Sequence, residues 1–262
     1  MPASDVSSTL MSLTSGENSQ MSSLMKSGNV AKAAQMAYAV LSLVDKSEGG
    51  INAKDKQSLK EGIINQISKV NVKSLQEVTQ VSAVVALATG QKDEISQDSQ
   101  ETAVNLLESS ANFMSSQKGG DPALVQKVGA SLLHGVSNLM SAASSEATVK
   151  EEETEEEKKK AKYSSDGEKA KDGKERKKRG KKMAEKTLKL MDQIGGSLLS
   201  TKVVGEKPSV FKTKSLALVL DRQIPSKMGE KKISEGSSKV ALPSAGTLFS
   251  KASKDMPAVD SQ

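Results

Sequence analysis

Residues 74–114, SLQEVTQVSAVVALATGQKDEISQDSQETAVNLLESSANFM, decide the fold of this chain. They predict two amphipathic helices joined by a short polar turn, because apolar residues recur at three- and four-residue steps in each half. Ser74 and Glu77 form a capping-box pair that would accept hydrogen bonds from the first-turn amides. Gly90 follows the last periodic residue of the first helix, where we expect a left-handed helix end. Neither apolar stripe can be buried alone, so both helices need neighbours.

The composition limits the size of any core. The chain has 262 residues and a formal net charge of +6, but only 35% of its residues are hydrophobic and 2% aromatic. A compact globule of this length normally buries more large side chains. We therefore expect a modest helical core together with long disordered segments. Cysteine is absent, which excludes disulfides but not secretion.

Periodicity and charge divide the chain into five sections. Residues 1–20 are rich in serine and threonine and are expected to be disordered apart from a helical turn around Leu10–Leu13, whereas residues 21–145 predict an antiparallel helical array. Residues 146–182 hold runs of like charge, EEETEEE, KKKAK and KERKKRGKK, which predict a disordered linker. Helical spacing returns at residues 183–200, the expected last helix of the array. Residues 203–262 are expected to start a β subdomain that continues outside this chain.

Local signals place several helix boundaries. Gly28-Asn29 should break the helical pattern near the start of the array. Either Ser96 or Asp98 is expected to cap the second helix of residues 74–114. Asp121-Pro122 predicts an N-cap followed by proline at the first helical position.

The predicted strands and core follow from the same periodicities. Alternating leucines predict one strand over Ser209–Ile224, and a second is expected at Lys239–Leu242. Two strands alone do not make a stable sheet, so more strands are expected elsewhere. We expect the apolar stripes to supply these core residues: Leu75, Val78, Val85, Leu107, Leu132, Met191 and Leu218.

No catalytic or cofactor-binding motif is found in the sequence. The single histidine, His134, has no cysteine with which to share a zinc site, and we interpret it as a structural or surface residue. The acidic run Glu151–Glu157 lacks the glycine turn and the ligand spacing of a calcium loop. We therefore predict no enzyme activity, no bound metal and no cofactor.

The basic run has three interpretations. Arg176, Lys177, Lys178 and Arg179 together have the form cut by furin-like convertases, with cleavage before Gly180 if the parent protein enters the secretory pathway. The clusters could instead attract nucleic acid or act as a nuclear import signal. Few aromatic residues are present for base stacking, and the adjacent acidic block weakens that interpretation. The third is a flexible linker with no specific role.

Several segments, in this order, resemble the polycystin and sperm receptor for egg jelly family. Residues 24–46, LMKSGNVAKAAQMAYAVLSLVDK, are similar to a helical segment upstream of that family's cleavage region. Residues 74–114 are similar to its central helices, and LLHGVSNLMSAAS (132–144) to the next helix. Residues 187–228, TLKLMDQIGGSLLSTKVVGEKPSVFKTKSLALVLDRQIPSKM, resemble the junction where that family passes from helices to sheet, marked here by Val204–Pro208.

The resemblance runs from Leu24 to Phe249 and implies the helical subdomain of a GAIN domain, followed by the first strands of its β subdomain. In that family this domain holds a GPS segment that can cleave itself, but no cleavage residue carries over to this chain. The implied function is a non-catalytic extracellular scaffold of a polycystin-like membrane receptor or cation-channel subunit.

The resemblance also implies the partners. They are the rest of the parent membrane protein, including its GPS segment and transmembrane region, and a polycystin-type channel subunit. The segment would lie at the extracellular side of the plasma membrane, bind no nucleic acid and insert into no membrane itself.

A rival interpretation remains open. It is a soluble intracellular helical interaction protein, in the nucleus or cytoplasm, whose basic segment binds nucleic acid or importin. The sequence shows no signal peptide, no Asn-x-Ser/Thr acceptor and no cysteine, and each of these absences favours the rival.

Overall fold

A computed structural model of the chain describes residues 3–47, 50–117, 120–148, 167–223, 231–235 and 238–242. Over these residues the protein is mainly helical, which confirms the predicted fold class. The described α-helices are α1 (Ala3–Thr14), α2 (Gln20–Lys26), α3 (Val30–Lys46), α4 (Ala53–Ile67), α5 (Leu75–Ala88), α6 (Gln97–Ser116), α7 (Pro122–Thr148) and α8 (Gly167–Ser200), with a 3-10 turn at Lys92–Glu94. Two antiparallel hairpins follow, β1 (Ser209–Lys212) with β2 (Ala217–Leu220), and β3 (Lys231–Glu235) with β4 (Ser238–Leu242).

The chain divides into two compact units. The helical unit contains α1 to α8 and the turn Thr213–Leu216, whereas the sheet unit contains Lys202–Lys212 and the chain from Ala217 onward. Within the helical unit α7 is the central helix, since α5, α6 and α8 all pack against it. The earlier helices add outer layers, with α3 on α5, α2 on α3, and α1 on α4. No helix in the described residues is long and apolar enough to cross a membrane.

The capping box of α5 forms with one change. The Ser74 hydroxyl accepts a hydrogen bond from the Glu77 amide at 3.2 Å, as a serine N-cap does. The Glu77 carboxylate accepts from the Lys73 amide at 2.7 Å, one residue before the cap. The pair therefore closes the first turn of α5 and fixes the direction in which the chain enters it.

The prediction of a left-handed helix end at Gly90 was wrong. Left-handed glycines among the described residues are Gly16, Gly28 and Gly205. Helix α5 ends instead at Thr89, whose amide and hydroxyl both donate to the Val85 carbonyl, at 3.0 and 2.8 Å. The buried threonine hydroxyl satisfies a carbonyl at the helix end, so no left-handed residue is needed there.

The other boundary signals hold. Gly28, with a φ of +76°, separates α2 from α3 at the expected break. Ser96 rather than Asp98 caps α6, because its hydroxyl accepts from the Ser99 amide at 3.3 Å. Asp121 accepts from the Ala123 amide at 3.0 Å where α7 begins.

The N-terminal section is helical over Ala3–Thr14, so the prediction of disorder was wrong there except around Leu10–Leu13, where a helical turn was expected. Helix α1 packs against α4, and its small side chains allow close contact, with Thr14 fully buried. The Thr14 hydroxyl donates to the Leu10 carbonyl at 2.8 Å, and the Gln66 side chain of α4 donates to the Gly16 carbonyl at 2.8 Å. Packing of small residues and one long-range hydrogen bond hold a segment whose composition is typical of disorder.

The predicted charged linker is also partly helical, since α8 begins at Gly167 rather than at residue 183. Lysine, arginine and glutamate, which have high helix propensity, make up most of residues 168–178. From Gly180 onward α8 is held by packing as well, because Gly180 is buried close to the Ala143 carbonyl of α7. The acidic run Glu151–Glu157 lies outside the described residues.

The single strand predicted over Ser209–Ile224 is a hairpin instead. Ser209 pairs with Leu220, and Lys212 with Ala217. The polar residues between the strands form the turn, where the Thr213 amide donates to the Leu216 carbonyl at 2.8 Å. Alternation predicts strand residues but not where the chain reverses, and here the reversal falls within the alternating segment. The expected second strand corresponds to β4.

The core of the helical unit is aliphatic, and α7 contributes a continuous buried stripe to it. Of the expected core residues, those on α5, α6 and α7 are buried, whereas Met191 and Leu218 are half-buried. On α8 the buried stripe is Leu190, Ile194 and Leu198, while Leu188 is 51% exposed. Leu188 with Met191, and Leu190 with Ile194, both have helical spacing. The sequence therefore does not show which pair is buried, and the positions of α6 and α7 decide it.

Two glycines set the distance between α7 and its neighbours. A methyl group at Gly129 would lie 2.7 Å from Cδ2 of Leu198 on α8, and one at Gly135 would lie 2.9 Å from Cδ1 of Leu107 on α6. Such distances are too short for carbon atoms. The leucines of α6 and α8 therefore fill space that any larger residue on α7 would occupy.

Leu107→Asp is expected to abolish the cooperative thermal unfolding transition. Leu107 is fully buried in α6, and an unpaired carboxylate there has no partner to offset the loss of its hydration. Circular dichroism against temperature measures the effect. Ser109→Asp, at an exposed position on the same helix, is the control and should unfold as the parent does. Equal melting curves for the two variants would contradict the helix packing.

Gly129→Ala and Gly196→Ala should change the free energy of unfolding in opposite directions. Alanine in an open helical position is about 0.5–1 kcal/mol more stable than glycine. Gly196 is in α8 with no atom near an added methyl group, so this variant should gain that stability. Gly129→Ala should lose stability because it displaces Leu198. Urea unfolding gives both free energies, and equal gains would show that α8 does not approach α7 at Gly129.

Candidate functional site

The four residues of the predicted convertase site lie within α8. Arg176–Arg179 continue a helix that extends to Ser200, and Lys178 and Arg179 are exposed. The guanidinium of Arg179 lies 3.7 Å from the Asp98 carboxylate of α6. Proteolytic cuts fall mainly in exposed, non-helical loop tips. Cleavage before Gly180 therefore requires this turn of α8 to open, and it stays a prediction.

A charged surface forms where α8 passes α6. Lys182 and Lys186 lie 3.7 and 3.4 Å from the Glu101 carboxylate, and Lys186 also donates to the Asn105 side chain at 3.2 Å. Glu101, Lys182 and Lys186 border a cavity of about 190 Å³. Exposed ion pairs of this kind contribute little to stability, typically about 0–1 kcal/mol each. Their effect is on the electrostatic potential of this face rather than on folding.

Three lysines on the outer side of α8 are not neutralised. Lys178, Lys181 and Lys189 are exposed, and no described carboxylate is within 4.0 Å of them. We call these three, together with Lys182, the lysine face. At about 100° per residue they fall within one side of the helix. The lysine face is the strongest cationic feature among the described side chains of α8.

The most buried charge in the helical unit is Lys60 of α4. Its side chain is 0% exposed, and its ammonium lies 2.7 Å from the Asp45 carboxylate and 2.6 Å from the Glu94 carboxylate. A lysine is found fully buried only where its charge is paired. The ion triad joins the end of α3, the middle of α4 and the 3-10 turn before α6.

A second contact extends this connection to α6. Glu61, the next residue of α4, accepts a hydrogen bond from the Ser96 amide at 3.1 Å, at the N-cap of α6. Gln57 donates to the same carboxylate oxygen at 2.8 Å. Adjacent charged residues of α4 thus hold the last part of the connection between α5 and α6, at Glu94 and Ser96. We interpret the arrangement as structural, because the Lys60 side chain is fully buried and its ammonium is paired with two carboxylates.

The sequence contains one signal for this triad, which is the position of Lys60 among the apolar residues of α4. Lys60 stands four and seven positions before Ile64 and Ile67, so it lies on the buried stripe of α4. A lysine on a buried stripe predicts nearby carboxylates, but not which ones. Asp45 is 15 residues away and Glu94 is 34 away, and only the tertiary structure brings them together.

His134 lies on the surface of α7 beside an open groove. The groove has a volume of about 320 Å³ and is bordered by α3, α5 and α7. The residues that line it include Tyr38, which is 50% exposed, and Asn138, whose side-chain amide donates to the Ala86 carbonyl at 2.7 Å. No group of three or more His, Asp or Glu side chains in the described residues is placed to hold a metal ion.

No protein-family model, curated protein or solved structure matches the chain. The family resemblance and the function it implies therefore stay predictions. The structure itself shows a helical unit centred on α7, a buried ion triad and a cationic outer face on α8.

Lys60→Met should lower the free energy of unfolding by about 3 kcal/mol, because it leaves the Asp45 carboxylate without its cation and Glu94 with only the more distant Lys56, at 3.9 Å. Lys54→Met, at an exposed position on the same helix, is the control and should have almost no effect. Adding Asp45→Asn and Glu94→Gln to Lys60→Met should restore most of the loss, since no unpaired charge remains. Urea unfolding measures all three, and a Lys60→Met variant as stable as the parent would contradict the triad.

Proposed function

We propose that this chain is a non-catalytic scaffold segment in the extracellular region of a polycystin-like membrane receptor or cation-channel subunit. In this function the helical unit is a rigid platform, and the sheet unit begins the β subdomain that would support a GPS segment. The mechanism is mechanical: the platform transmits force and position through packed helices rather than through chemistry.

The boundary between the two units carries this proposal. Along the chain, the first segment of the helical unit runs to Thr201 and the sheet unit begins at Lys202, while the turn Thr213–Leu216 belongs to the helical unit again. The resemblance puts the passage from helices to sheet at Val204–Pro208, a few residues later. This correspondence of an observed boundary with a motif chosen from sequence alone supports the family interpretation.

The start of the sheet unit is a tightly bonded loop. Lys202 is buried, and its ammonium donates to the Lys207 carbonyl at 2.8 Å and to the Ser209 hydroxyl at 2.9 Å. Its charge is offset by the Glu206 carboxylate at 3.4 Å. A buried lysine that bonds both arms of a loop keeps the loop closed.

The same loop is tied to the end of β2. Gly205, with a φ of +83°, donates its amide to the Arg222 carbonyl at 2.8 Å. The Arg222 guanidinium donates in return to the Lys202 carbonyl at 3.1 Å. The left-handed conformation at Gly205 is one that residues with a Cβ rarely adopt. These bonds account for the left-handed Gly205 and give partners to the side chains of Lys202 and Arg222.

The rival function, an intracellular helical interaction protein, draws its support from the lysine face. Exposed lysines on a helix attract nucleic acid as well as other polyanions. The rival does not account for the agreement between the unit boundary and the junction motif. We therefore rank it second.

Labelling of cells that express the protein from its native transcript distinguishes the two. Antibodies against the helical unit should label intact cells, because a scaffold in an extracellular region is accessible without permeabilisation. An antibody against a cytosolic protein is the control and should label only permeabilised cells. Labelling that requires permeabilisation and lies in the nucleus or cytoplasm would overturn the proposal.

A further inference from the structure

We propose that the lysine face of α8 binds a sulfated glycosaminoglycan, a linear polysaccharide that carries sulfate and carboxylate groups along its length. This inference rests on the proposed function, because such chains occur outside cells. It names a ligand class for a surface that a purely mechanical scaffold does not require.

The shape of the lysine face fits a linear polyanion. Lys178, Lys181, Lys182 and Lys189 lie within an arc of about 100° around the helix and extend about 16 Å along its axis. All four are exposed. A row of cations along one side of a helix can follow an extended chain of anions, whereas a single anion would contact only one or two of them.

The balance of charge on this side favours anions. Glu185 and Asp192 lie on the same side of α8 and are exposed, so the lysine face is not uniform. Over residues 167–189, however, the sequence contains eleven Lys and Arg residues against four Asp and Glu. Arg179 and Lys186, beside the face, are partly neutralised by carboxylates of α6. The four exposed lysines of the face still outnumber the two exposed acidic residues beside them, so the net charge of this side is positive.

The lysines stand on a helix that is held in place. Gly180, Thr187 and Leu190 are buried, and α8 packs on both α6 and α7 over this range. Binding to a preformed row of charges requires no ordering of the backbone, which lowers the entropic cost of association. A disordered basic linker, as first expected from the sequence, would have to order itself for each contact.

The chemistry around the lysines suits sulfate better than nucleic-acid bases. Helix α8 contains no aromatic residue, and the exposed large aromatic side chain among the described residues, Tyr38, is on α3. Single-stranded nucleic acids are bound largely by stacking of bases on aromatic rings. Sulfate groups need only cations and hydrogen-bond donors, both of which lysine provides.

Titration of the full 262-residue chain with a size-defined heparin oligosaccharide tests the inference. The sulfated oligosaccharide should bind, with an affinity that falls steadily as salt is added, because the contacts are exposed ion pairs. Its desulfated counterpart should not bind measurably. Equal affinity for the two sugars would overturn the inference, and so would tighter binding of a DNA duplex of matched charge.

A matched pair of variants assigns the binding to this face. Lys178→Ala with Lys181→Ala and Lys189→Ala should weaken heparin binding about tenfold, since three exposed ion-pair contacts are lost. The control variant combines Lys32→Ala, Lys54→Ala and Lys69→Ala, which removes the same charge from exposed positions elsewhere. It should weaken binding less than about twofold. Equal losses in the two variants would show that net charge, not the lysine face, binds the sugar.

Two further outcomes separate this inference from the proposed function. Replacing Lys178, Lys181 and Lys189 by arginine should keep the affinity, because the charge is retained. Antibody labelling of intact cells depends on none of these lysines. A chain displayed outside cells that fails to bind heparin overturns only the inference, whereas a chain found only inside cells overturns the proposed function and this ligand with it.

Discussion

The close approach of α6 and α8 to α7 is the constraint on which the helical unit depends. Gly129 and Gly135 leave room on α7 for Leu198 and Leu107, and these leucines are almost fully buried. The buried apolar residues are aliphatic, mostly leucine, isoleucine, valine and alanine, so no large ring is available to bridge a wide gap. Helices with small side chains can bury enough apolar surface only by packing closely. The glycines of α7 make that distance attainable.

The ion triad around Lys60 has a different purpose from the packing around α7. Apolar contacts make the helical unit stable but permit more than one alignment of similar aliphatic stripes. A buried lysine that must meet both Asp45 and Glu94 is satisfied in only one alignment of α3, α4 and the 3-10 turn. Buried ion pairs add little net stability compared with well-packed apolar residues. We infer that the triad selects the arrangement that the aliphatic core stabilises.

The sequence predicts the helices well because their boundaries are local. The Ser74 cap, the Gly28 break and Asp121-Pro122 each act within one turn, so the residues that determine them are adjacent in the chain. Local chemistry was therefore sufficient for the fold class and for most helix ends.

The errors arise where distant residues decide. Helix α1 depends on Gln66, which is 50 residues from Gly16, and the buried stripe of α8 depends on where α6 and α7 lie. The Lys60 triad joins residues from three separate elements. Composition also misled the prediction for α8, because its like charges repel as a block but lysine, arginine and glutamate have high helix propensity.

Amide hydrogen exchange of the full chain tests the central claim, that the unit is organised around α7. Exchange reports the free energy of local opening at each amide. The slowest amides should lie on α7 between Val128 and Leu139 and on the facing part of α5, while the first turns of α8 before Gly180 exchange fastest among the helices. Protection of α7 no greater than that of those first turns would contradict the account.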